Sequence, residues 1–213
     1  YNTSDVQKII DAGIPVIAED FKERFSNISN ISGGYLEAGQ MGAEYLYKKG
    51  FRNFAFYGFK NIVWSRERAE GFDDYLSKLG HTVHYFEHEE MPSRELWHYK
   101  PSILSQWLNS LPKPIAVMAC DDERAVHITE SCKHAKIQIP EEIAVLGVDN
   151  DELTCSLSDP PLSSIALNVE QGGYEAARLM DHMIMNSQQN AGNIIVSPTR
   201  IITRQSTDIS VTT

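Results

Sequence analysis

The residues able to do chemistry in this chain sit just past its apolar runs. Behind Asn53-Phe54-Ala55-Phe56-Tyr57-Gly58 come a loop and then Trp64-Ser65-Arg66-Glu67-Arg68. Asp121-Asp122-Glu123 follows the run 114–119, Asp149-Asn150-Asp151-Glu152 follows 143–148, and Asn168 follows 163–167. Trp97 lies in the loop after 82–87, ahead of Pro101. Open parallel sheets bind ligands beyond the carboxyl ends of their strands. If these runs are neighbouring strands, one rim gathers an arginine, the carboxylates Asp121 and Asp149, an asparagine and a tryptophan. Such a set suits a sugar or other polyol. Each carboxylate can accept from two vicinal hydroxyls, a guanidinium fork donates to one or two oxygens, and an indole covers the apolar face of a ring. A phosphorylated ligand fits poorly, because the two acids repel it.

Plainer roles compete for each of these residues. Asp121 and Asp149 stand where helix caps and turn formers belong, and for either one alone a cap is the readier reading. Arg66 or Arg68 could be a solvated helix residue paired with Glu67 or Glu70, and Trp97 a surface anchor or part of a core. His81, His84 and His88 invite a metal, but strand alternation sets His81 on the opposite face, which favours a solvated edge strand. Cys120 reads as core filler. The chain contains no G-x-G-x-x-G, no phosphate loop, no G-x-S-x-G elbow, no H-E-x-x-H and no C-x-x-C. The expectation is therefore a binding module rather than an enzyme, with no metal and no cofactor.

Stepping along the chain, strand-like and helix-like segments alternate. A short helix opens at Ser4-Asp5-Val6 and stops at Gly13, and Ile14–Ala18 reads as a strand running into Glu19-Asp20. A helix with the stripe Leu36, Gly39, Ala43, Leu46 and Tyr47 ends at Gly50. The continuously apolar runs 53–58, 115–119 and 143–148 predict buried parallel strands. Helices are predicted over about 66–79, from Pro101 to Leu111, through Ala125–Ala135 and around Ala176–Ile184, with further strands at 82–86, 163–167, 194–196 and 200–204. This succession calls for a mostly parallel, doubly wound α/β sheet. Two helices share a Gly-Gly-Tyr opening, Gly33-Gly34-Tyr35 and Gly172-Gly173-Tyr174, which is either chance or a mark of passages between two lobes.

Composition narrows the partners. The 213 residues carry 19 Lys+Arg against 29 Asp+Glu, a formal net charge of −10. That argues against this segment gripping nucleic acid or an anionic membrane by itself. No apolar run approaches the roughly 20 residues that span a bilayer. Three cysteines (Cys120, Cys132, Cys155) form no metal-type pair and leave one over if two join, which favours a reducing, cytoplasmic setting. Starting at Tyr1 without a basic-then-apolar leader, the chain reads as a piece of a longer protein.

Gly50–Gly58, Arg66-Glu67-Arg68-Ala69-Glu70-Gly71-Phe72, Ala119-Cys120-Asp121-Asp122, Val145–Asn150 and Pro161–Ile165 occur in an order that resembles the sensor domain of the lactose-repressor and periplasmic sugar-binding superfamily. Within it, Asp149–Thr154 and Arg204–Asp208 look closest to the xylose-operon regulators, where such a sensor precedes an AraC-type DNA-binding domain. The resemblance implies a periplasmic-binding-protein-like (type I) fold: two doubly wound lobes joined by three crossings, near Ser29–Ser32, Leu162–Asn168 and Ile195–Ile201. The first lobe would be 1–31 plus 168–194, short because the family begins some two βα units earlier; the second would be 32–167 plus 195–213. Carried over residue by residue, Arg68 is the sugar-binding arginine, Asp121 stands where Asn or Asp is common, and Asp149 is the acid. Trp97 lies near the aromatic wall and Asn168 at the hinge. The implied function is sensing of xylose or a related pentose by a dimeric cytoplasmic regulator, with DNA reached only through another domain and no membrane involved. The alternative is an extracytoplasmic sugar receptor of a transport system.

Overall fold

The computed structural model describes residues 3–19, 24–89 and 101–209. Six strands form the larger sheet: β3 (Phe54–Phe59), β4 (Val83–His88), β5 (Ile115–Ala119), β6 (Ile143–Asp149), β7 (Ser163–Leu167) and β9 (Pro198–Ile202), in the order β4-β3-β5-β6-β7-β9. All neighbours are parallel except β7 and β9. The smaller sheet is parallel throughout, β1 (Ile17–Glu19), β2 (Ser29–Gly33) and β8 (Ile194–Val196), ordered β1-β2-β8. The helices are α1 (Thr3–Asp11), α2 (Tyr35–Lys48), α3 (Val63–Ser77), α4 (Pro101–Ser110), α5 (Asp122–Ala135), α6 (Glu152–Leu157) and α7 (Val169–Met185). The chain passes between the sheets three times, after β2, after β7 and after β8.

The central strands are apolar on both faces because both faces are covered. Phe54, Phe56, Met118, Leu146 and Val148 pack with Leu46 of α2 and Phe72 of α3. Their alternating neighbours Ala55, Tyr57, Val117 and Val145 pack with Leu104 and Leu108 of α4 and Ile128 of α5. Strand periodicity of two thus divides each run between two cores.

One crossing sets the site. A Cβ on Gly39 would lie 2.1 Å from the Arg68 carbonyl oxygen, and one on Gly71 2.0 Å from that of Leu36. Glycine at both positions lets α2 and α3 touch backbone to backbone, which brings Tyr35 at the start of α2 beside Arg68 on α3.

Several segment ends shift by a few residues from their sequence reading, the last strand running Pro198–Ile202 rather than 200–204, and three differences bear on the site. β1 begins at Ile17, and Pro15, which has no N–H to give a ladder, precedes it. α3 begins at Val63, which places Trp64 in its first turn. β2 was not expected as a strand. Its polar sequence Ser29-Asn30-Ile31-Ser32-Gly33 is stabilised by side chains: Asn30 Nδ2 donates to the carbonyls of Phe25 (2.7 Å) and Ile28 (3.0 Å), and its N–H donates to Asn193 Oδ1 (3.0 Å). β2 and β8 also run to Gly33 and Val196, past the expected lobe boundaries at 31 and 194.

Candidate functional site

A cavity of about 500 Å³ opens between the two sheets, within the ~300–1,000 Å³ range of small-molecule sites. Arg68, Asp121 and Asp149 all line it, with Glu19, Ser32, Tyr35 and Trp64 among the others.

Arg68 is the best-fixed of these side chains. It is 3% exposed. Nη1 donates to the Cys120 carbonyl (2.5 Å) and Nη2 to Asp149 Oδ1 (2.8 Å). The guanidinium lies 5.3 Å from the Tyr35 ring centroid and 5.5 Å from that of Trp64, cation–π contacts worth about 1 kcal/mol each or more when desolvated. Its Nε is buried without a hydrogen-bond partner among the described residues. The sequence alternatives for this residue, a solvated helix arginine paired with Glu67 or Glu70, do not describe it. Glu67 instead takes a forked bond from Arg24, at 2.6 and 2.7 Å.

Asp121 serves two purposes at once. As the N-cap of α5 its Oδ1 accepts from the Arg124 N–H (2.7 Å) and from Arg124 Nε (2.8 Å). Oδ2 takes no hydrogen bond from the described residues, and Asp121 is among the residues lining the cavity. The neighbouring Cys120 is wholly buried, and that burial pushes its thiol far up, so it is core filler rather than a nucleophile.

Asp149 closes β6 in an unusual backbone state. Its φ is 102° and that of Asn150 is 53°. The turn after a buried strand is thereby twisted so that the Asp149 carboxylate meets Arg68 while staying about half exposed. Asp151, not Asp149, caps α6, accepting from the Thr154 N–H at 2.7 Å.

Asn168 is not among the residues lining the cavity, although Leu167 and Val169 are. It is the exposed N-cap residue of α7, makes no side-chain cap bond, and its N–H donates to the Ser197 carbonyl (3.1 Å) at the passage between sheets. Trp97 lies outside the described residues. The aromatic surfaces the cavity does present, Tyr35 and Trp64, went unrecognised in the sequence. Trp64 precedes Arg68 by four residues, a spacing that puts both on one helix face once α3 is known to start at Val63. Gly33 and Gly173, from the two Gly-Gly-Tyr openings, both line the cavity. The histidines form no metal cluster among the described residues. β4 is the sheet edge, and His88 packs against Tyr57, Phe59 and Phe86. Burial and the nearby Arg124 lower its pKa.

The cavity lining thus carries two acids, one guanidinium and two aromatic rings, groups whose chemistry suits a neutral, hydroxyl-rich molecule. It contains no paired nucleophile and base.

Residues 43–207 match the periplasmic binding protein-like domain. The xylose operon regulatory protein of Escherichia coli is 37% identical over 168 residues, 77% of this chain and 42% of the relative; that of Haemophilus influenzae is 33% identical over 193 residues, 89% and 49%. The chain thus spans less than half the length of these curated relatives. Among solved structures, the xylose-binding transcription activator xylR covers 100% of this chain and 57% of its own, at 29% identity and a TM-score of 0.85. A LacI family transcriptional regulator from Enterococcus faecium with bound ribose covers 100% and 77%, at 20% identity and a TM-score of 0.82. The fold is the periplasmic-binding-protein-like type I architecture.

Proposed function

The chain belongs to the periplasmic binding protein-like domain family, and from that premise we propose that it is the sugar-sensing domain of a transcription regulator responding to xylose or a related pentose. The observation that carries this reading is the clasp around one cavity: Arg68 held between Tyr35 and Trp64, Asp149 paired to it, and Asp121 with a spare carboxylate oxygen. The named relatives add support, since two are xylose operon regulatory proteins and one neighbour is a xylose-binding activator.

In this reading Arg68, Asp121 and Asp149 bond sugar hydroxyls, Trp64 or Tyr35 supplies the apolar face, Trp97 adds to the wall, and Asn168 sits at the hinge. The lobes are 1–31 with 168–194 and 32–167 with 195–213, the overrun of β2 and β8 marking where the crossings begin. Sugar binds the closed cleft more tightly than the open one, and the shift in lobe angle passes to an AraC-type DNA-binding domain elsewhere in the protein. The protein works in the cytoplasm as a homodimer, without catalysis, cofactor or membrane.

Calorimetric titration of the full-length protein with aldopentoses and hexoses tests this. Saturable binding of D-xylose or another pentose is expected; no heat from any sugar overturns the reading.

A further inference from the structure

The turn that aims Asp149 is held by a carboxylate from a different element. Asp122, the first residue of α5, is 3% exposed and is not among the residues lining the cavity. Its side chain reaches across the sheet instead. Oδ2 accepts from the Asp151 N–H (2.7 Å), and Oδ1 accepts from Ser164 Oγ on β7 (2.5 Å). Ser164 Oγ in turn accepts from the Asn150 N–H (3.0 Å). The two backbone donors that follow Asp149 are therefore both satisfied through the Asp122–Ser164 couple.

Such restraint is needed there. Asp149 and Asn150 both have positive φ, a region that costs a non-glycine residue free energy and persists only when the surroundings over-determine it. The sequence also makes room for the brace: a Cβ on Gly147 of β6 would lie 2.2 Å from Asp122 Oδ1. On the outer side of the turn, Arg204 Nη2 donates to Asn150 Oδ1 (3.0 Å), so the brace works against a second fixed point.

We propose that Asp122 is a positioning residue for the sugar site: through Ser164 and the Asp151 N–H it locks the turn 149–151, so that Asp149 meets Arg68, and it thereby sets sugar affinity without touching sugar. This rests on the sugar-sensing reading above. Loosening the turn lets Asp149 drift by about an ångström, enough to cost one to two orders of magnitude at a well-aligned site.

The test is calorimetric titration of D-xylose into the full-length wild type, Asp122→Asn, Ser164→Ala and the double variant, with thermal melts of each. Asp122→Asn is expected to bind at least about tenfold more weakly with its melting temperature not lowered. Ser164→Ala should also bind more weakly, and the double variant no worse than Asp122→Asn, because both act through one turn. The proposal is overturned if Asp122→Asn binds within twofold of wild type, if the two losses multiply, or if the affinity loss comes only with a fall in melting temperature. A wild type that binds no D-xylose sinks this inference together with the pentose reading, an outcome distinct from a wild type and variant that bind alike.

Discussion

Removing the forked pair between Arg24 and Glu67 should weaken sugar binding at a site neither residue lines. Arg24 precedes β2 of the smaller sheet and Glu67 lies on α3 against the larger one, so the pair ties a segment of one sheet's side to a helix of the other. Glu67 is 17% exposed and Arg24 43%. A pair with one partner that wet belongs with surface ion pairs, and its bidentate geometry puts it at the upper end of their range, about 1 kcal/mol. If it forms only when the lobes close, Glu67→Gln takes about 1 kcal/mol from the closed state and raises the apparent Kd about fivefold. Calorimetry with D-xylose at low salt measures this, and repetition near 0.5 M salt should shrink the difference as screening removes the wild type's advantage. A Kd unchanged at low salt, or a difference untouched by salt, refutes the pair as a closure latch.

Other substitutions probe the parts separately. Arg68→Lys keeps the charge but cannot serve the Cys120 carbonyl and Asp149 together. It should lower stability by about 1–3 kcal/mol, or roughly 2–12 °C in Tm, and reduce D-xylose affinity by well over tenfold; unchanged affinity in titration would show the fork to be structural only. Gly71→Ala forces α2 and α3 apart against the Leu36 carbonyl and should cost about 3 kcal/mol, read as a fall of roughly 6–12 °C in Tm; a wild-type melt contradicts the close crossing. Burial raises the Asp122 carboxyl from 3.8 to about 6, against the hydrogen bonds from Ser164 and the Asp151 N–H. The folded protein then takes up a proton more readily than the unfolded chain between those values, so this group's contribution to stability falls as pH rises through that window, by up to about 3 kcal/mol. Asp122→Asn should therefore gain on wild type in thermal melts from pH 4.5 to 7; parallel curves would contradict the shift.

The parts of the fold legible in sequence are those governed by local rules. β3, β5 and β6 showed themselves as uninterrupted apolar runs because both faces are covered, and α4 by the proline that opens it. β2 stayed hidden since its burial depends on Asn30 reaching Phe25, Ile28 and Asn193, and the last of these is far along the chain. For the site, the rule that ligands bind past strand ends found Arg68, Asp121 and Asp149 on one cavity, yet it could not separate cap from ligand contact at Asp121, which the structure shows as a cap with one oxygen left over. Tyr35 was missed because its place beside Arg68 follows from the Gly39–Gly71 crossing, a tertiary contact with no periodic signature, and Trp64 because its four-residue spacing from Arg68 counts only once α3 is known to start at Val63. Asp122 carried no signal of its own in the sequence; only the fold brings its carboxylate to Ser164 on β7 and to the turn after β6.

A crystal structure of the full-length protein grown with D-xylose tests the central claim most directly. Sugar hydroxyl oxygens are expected within about 3.2 Å of Asp121, Asp149 and the Arg68 guanidinium, with the ring against Trp64 or Tyr35. Sugar density elsewhere, or those three side chains still bonded only to protein around a vacant hollow at saturating sugar, would contradict it.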